Sequence, residues 1–129
     1  MLSNIVFFTV SGVLAIMLFF SFVVAPISFK SLSEKSFRKF IRKIFPYYYT
    51  INLVLLLLAS IPIYIYHGMN FSLSLILICA ALFFVSLFIL MPMINKFRDK
   101  NKTRKFKITH TVSVIINFIQ IFLLVVVII

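Results

Sequence analysis

The sequence predicts an all-α membrane protein of four transmembrane helices, N-out and C-out, and three observations predict it. Of the 129 residues, 64% are hydrophobic and only 12% charged, where a soluble domain averages roughly 45–50% and about 25%. Four apolar runs long enough to cross a bilayer divide the chain, and the mean hydropathy is +1.21. All 13 Lys and Arg fall in the two segments between the first and second runs and between the third and fourth. No hydrophilic stretch is long enough for a second domain, so one transmembrane domain over 1–129 is expected.

The runs are Ile5–Ala25, Tyr47–Tyr66, Phe71–Met91 and Thr109–Ile129, with loops 26–46 and 92–108 between spans. Each run has about 20 residues and would rise roughly 30 Å as a helix, the hydrocarbon thickness of a bilayer. None contains Asp, Glu, Lys or Arg. In lipid, backbone amides must be satisfied within their own segment, which leaves helices for runs of this kind. The first run has no basic residues before it and ends in Val-Val-Ala-Pro, so it reads as a retained anchor and not a cleaved signal.

Charge placement orients the chain. Basic residues in short loops stay in the cytoplasm. That places Lys30 to Lys43 and Lys96 to Lys107 inside, and the termini and the His67–Asn70 turn outside. A cell membrane is the expected location, the inner one in a bacterium. The same one-sidedness argues against a dual-topology dimer. Tyr47, Tyr48 and Tyr49 are expected at the inner interface and Tyr64 and Tyr66 at the outer one. Pro46 is expected at the start of the second span and Pro62 inside it, as a kink.

The first loop is amphipathic. Phe37, Phe40, Ile41, Ile44 and Phe45 recur at helical spacing between Lys35, Arg38, Lys39, Arg42 and Lys43. Ser31 and Glu34 have capping-box spacing. Two readings stand: a short basic helix lying on anionic headgroups, which those five cations would contact, or a connector packing on the protein's own helices. A net charge of +11 that flanks membrane spans points to lipid headgroups and not nucleic acid. A weak repeat also aligns Phe22, Pro26, Lys30, Arg38, Lys39 and Phe40 with Phe88, Pro92, Lys96, Arg104, Lys105 and Phe106, an offset of 66 residues. A true duplication would make the fold two tandem helical hairpins; shared composition would also produce some matches.

Candidate chemistry concentrates in the fourth span. His110, Ser113, Asn117 and Gln120 form one helical stripe, which should turn inward because lipid offers no partners. Ser21, Asn52 and Ser86 fall at similar depth, with Ser113 and Asn117, roughly 6–12 Å beneath the inner interface. The layer would either line a small pocket or serve as interhelical bonding worth about 0.6 kcal/mol per bond. His110 lies in the first helical turn beside seven cations, which disfavours a charged ring; a structural bond to Asp99 or a tyrosine is one use for it. A redox, metal or haem role for His110 is the alternative reading. The only other histidine, His67, belongs about 30 Å away, and no Cys, Asp or Glu stands at a metal-ligand spacing, so no metal or cofactor is expected. Glu34 and Asp99 are the only acids, so no carboxylate lies in the membrane for proton-coupled antiport. Cys79 reads as inert packing, and no nucleophile–base pair or phosphate loop is present.

Three motifs carry a resemblance: Phe45-Pro46-Tyr47-Tyr48, then Pro92-x-x-Asn95-x-x-Arg98-Asp99, then Phe106-x-x-x-His110-x-x-Ser113-x-x-x-Asn117. With Pro26 and Phe29 they resemble the transmembrane-protein-205-like family, small four-span membrane proteins built on a domain of unknown function. Thr109 departs from it, since that family tends to have Leu before the histidine. The resemblance implies the four-span fold and supplies no reaction. It makes Pro46, Tyr47, Asn95, Arg98, Asp99, His110, Ser113 and Asn117 the candidate polar site. The expected function is a non-enzymatic binding, structural or transport-related module with that site at the cytoplasmic face.

Overall fold

The computed structural model describes residues 2–129, with side chains from Asn4 onward. Among the described residues, four helices are long and apolar enough to cross a membrane. The first comprises α1 (Leu2–Phe19), a π-helical turn (Phe20–Val24) and α2 (Ala25–Ser31). The second is α3 (Glu34–His67). The third comprises α4 (Phe71–Val85), a second π-turn (Ser86–Leu90) and α5 (Met91–Asp99); the fourth is α6 (Thr103–Ile128). Four spans and an all-helical fold are therefore correct, and the helix expected within the first loop is present as the start of α3. The segments expected to be loops at 26–46 and 92–108 are mostly helical, and the breaks narrow to Leu32–Ser33 and Lys100–Lys102. Charges end the lipid-compatible surface of a helix without ending its i to i−4 bonding. At 34 residues, α3 rises about 50 Å and must protrude past the roughly 30 Å hydrocarbon layer.

Local chemistry sets each break. Ser33 caps α3, its hydroxyl accepting the Ser36 amide at 3.2 Å; this replaces the expected Ser31–Glu34 box, because Ser31 is the last residue of α2. Glu34 instead pairs with Arg38 one turn on. Gly68 ends α3 at φ +65°, a conformation that L side chains resist, and the Asn70 side chain accepts the Leu73 amide at 2.7 Å to start α4. Asn101 ends α5 at φ 55°, where Asn is tolerated. Its amide and that of Lys102 bond back to the Arg98 and Phe97 carbonyls.

Prolines behave differently from the expectation. Pro46 is not at a helix start but in the interior of α3, and Pro62 is interior as well. Pro26 and Pro92 each follow a π-turn, in which the Ala25 amide bonds to Phe20 and the Met91 amide to Ser86. A proline ring clashes with the carbonyl four residues back, and widening the turn just before it makes room. The two π-turns and the helices they open are 66 residues apart, at Phe20 and Ser86 and at Ala25 and Met91. That is the offset of the sequence repeat. Past the turns the equivalence slips, because α3 starts at Glu34 and α6 at Thr103; Arg38 and Arg104 align in sequence but not in helical position.

The helices form a ring in which α1 packs between α3 and α6, and α4 closes it between the same two. The core runs through Val10, Val13, Met17, Leu56, Ile76, Phe83 and Leu124, all fully buried. Phe8, Phe22, Phe88, Phe118 and Phe122 point outward, a surface stable only against lipid. The amphipathic stripe of the basic segment is half-buried throughout, and Ile44 and Phe45 pack on the core. It faces the protein's own helices.

Candidate functional site

Both basic turns meet at one end of the bundle, and His67, Asn70 and the start of α1 meet at the other. Only Tyr47 of the tyrosine triplet lies outward, 68% exposed, while Tyr48 and Tyr49 are buried. Successive helical residues are turned about 100° apart, so three in a row cannot all face outward. Tyr48 and Tyr49 join Phe20, Phe45 and Phe83 in an aromatic core. Phe20 stacks on Tyr48 at 4.4 Å, and Phe83 sits edge-on to Tyr48 at 6.3 Å.

Beside this core is the membrane-embedded polar layer. The Tyr48 hydroxyl donates to Asn117 Oδ1 at 2.8 Å, and Asn117 Nδ2 donates to Ser21 Oγ at 3.0 Å. This bridge crosses the ring from α3 to α6 and returns to the first π-turn. Further along, Gln120 Nε2 donates to the Cys79 carbonyl at 3.1 Å, and the Cys79 thiol to the Gln120 carbonyl at 3.7 Å. Ser86 lies seven residues from Cys79 and Ser113 seven from Gln120, so in antiparallel helices they come to one level. Asn52 is fully buried one turn from Tyr48, and neither atom of its amide has a hydrogen-bond partner.

The stripe of α6 is rotated from its expected register. Thr109, Ser113 and Gln120 are buried and Asn117 half-buried, but His110 is exposed. The Ser113 hydroxyl donates to its own helix, at the His110 carbonyl. His110 instead lies flat on Phe106, with ring centres 5.8 Å apart and planes 18° apart. The Arg98 guanidinium also lies over the Phe106 ring, 3.8 Å from its centre. His67 is at the opposite end, and among the described residues no three His, Cys, Asp or Glu side chains gather as a metal site.

At the tip of the basic end, Arg42 of α3 reaches α5. It donates to the Asn95 carbonyl at 3.3 Å and pairs with Asp99. Arg42 was expected to contact lipid headgroups, yet it has an internal partner: its guanidinium sits at the negative end of α5 and offsets the charge of Asp99 there. Beside this clamp is a groove of about 590 Å³ between the first turns of α3 and the end of α5. Lys35, Arg38, Lys39, Arg42 and Arg98 line it, with Glu34 and Asp99. The candidate residues thus divide into the groove with its clamp (Asn95, Arg98, Asp99), the buried bridge (Asn117, with Ser113 near it), and His110 on the Phe106 stack. Pro46 is half-buried inside α3 and Tyr47 faces outward. Asn52 lies in the polar layer as expected, and Tyr48 joins it from the aromatic core. A tyrosine belonging to an interfacial triplet gives no sign in sequence of turning inward.

A bundle of apolar spans with a charged end and a polar core defines a multi-pass helical membrane protein. The chain belongs to a family described as a domain of unknown function (DUF4149), whose model matches residues 8–103. That match takes in the Pro46, Tyr47, Asn95, Arg98 and Asp99 positions and ends before His110, Ser113 and Asn117. No curated protein and no solved structure matches the chain.

The bridge carries a stability prediction. Tyr48→Phe removes one buried donor and should lower unfolding stability by about 1 kcal/mol, near the upper range for interhelical bonds in membranes. A double-mutant cycle with Asn117→Leu, read by thermal unfolding in detergent, should show coupling between the two. Additive losses would mean that the bond contributes nothing.

Proposed function

We propose that this chain is a non-enzymatic membrane module, akin to the transmembrane-protein-205-like group, whose basic end faces the cytoplasm and binds anionic lipid headgroups. The observation that carries this reading is the groove, in which five cations face two carboxylates. Like charges gathered at one spot repel, and an anionic ligand relieves that repulsion. The cytoplasmic leaflet supplies anionic headgroups at this depth. The placement of every Lys and Arg at the same end supports the orientation.

Orientation is tested by thiol labelling in intact cells. Cys79 is fully buried, so it gives little background. Ser36→Cys at the basic end should stay unlabelled by a membrane-impermeant maleimide until the cells are opened, and Met69→Cys at the other turn should label at once. The reverse pattern would overturn the reading. Headgroup binding is tested by reconstituting the purified chain in mixed phosphatidylcholine and phosphatidylserine and measuring co-purifying lipid. Anionic lipid should be enriched, and the enrichment should fall with added salt. Lipid recovered in its bulk ratio would remove the support.

A further inference from the structure

The groove is built unevenly. Arg38 is held by Glu34 and Arg42 by Asp99. Among the described residues neither Lys35, Lys39 nor Arg98 forms a salt bridge, and all three line the same groove. Three positive charges are therefore in excess within about 590 Å³. Arg98 also lies within electrostatic reach of Arg38 and Arg42, so its cation has repulsive neighbours as well as Glu34. Its guanidinium rests on the Phe106 ring at 3.8 Å, which fixes the plane of the fork and reduces the ordering needed to engage a ligand.

A singly charged phosphodiester headgroup would leave most of this excess uncompensated. A phosphomonoester carries about −1.5 to −2 near neutral pH and three strong acceptor oxygens. An arginine fork can take two of those oxygens, and the lysines act as point charges on the third. The opposing field is already countered, because Arg42 covers the Asn95 carbonyl and Asp99 at the end of α5. We infer that the groove formed by Lys35, Lys39 and Arg98 is a phosphomonoester site, occupied by a membrane lipid whose phosphate is terminal. This deepens the proposed headgroup binding and rests on it.

The test uses the full chain in phosphatidylcholine vesicles containing equal fractions of phosphatidic acid and phosphatidylserine. Phosphatidic acid should co-purify about tenfold above phosphatidylserine at pH 8, one charge-assisted contact's worth of discrimination. The preference should collapse below about pH 6, where the phosphomonoester loses its second charge. Arg98→Gln and Lys39→Gln should each abolish the preference, and Lys107→Gln, outside the groove, should leave it intact. Should Arg98→Gln fail to fold, Lys39→Gln decides alone. Equal retention of both anionic lipids overturns the phosphomonoester site and leaves general headgroup binding standing. Retention of neither ends both. Competition by millimolar glycerol 3-phosphate would support the same chemistry with a soluble source for the phosphate.

Discussion

Replacing Phe83 with alanine should destabilise the bundle by about 2–4 kcal/mol, the largest loss from any single truncation considered. Phe83 is fully buried and its ring touches those of Tyr48 and Tyr49. In a bilayer the transfer of apolar surface from water no longer drives helix association, so the loss comes from packing and from the cavity left behind. The cavity would open beside the Tyr48–Asn117 bond, so relaxation there should also loosen α6. Thermal or SDS-driven unfolding of the purified chain measures the effect. A change within about 0.5 kcal/mol, typical of a surface position, would show that the aromatic core is not closely packed.

Asn52→Leu should act in the opposite direction and stabilise the protein by about 1–3 kcal/mol, the usual cost of a buried polar group without partners. Both amide atoms of Asn52 are enclosed and unpaired, and leucine has the same γ-branched shape, although its bulkier methyls offset part of the gain. In hydrocarbon the penalty is at its most severe. The same unfolding assay decides the matter. A loss of stability would mean that Asn52 holds a hydrogen-bonded partner in the native protein.

The two substitutions separate what could be read from the chain from what could not. Four apolar runs are a property of composition and length, and the bilayer admits few structures for them, so span number and helix type were legible from residue order alone. The same holds for the one-sided placement of Lys and Arg, and for Pro26 and Pro92, 66 residues apart, whose shared local consequence is the matching π-turns. Helix ends were legible only in part. Pro46 and the cations of the first loop look like boundaries, yet backbone bonding continues through both.

What only the tertiary structure decided is rotation. Within the membrane each span is apolar nearly all round, so its sequence carries little signal about which face turns inward. Tyr47 outside with Tyr48 inside, and His110 outside with Thr109 inside, follow from how four helices fit together. So does the meeting of Arg42 with Asp99, which are 57 residues apart. Membership of a span is a local energetic matter settled between a segment and lipid. The angle at which that segment faces its neighbours depends on packing among all four, and that is where the polar bridge and the basic groove arise.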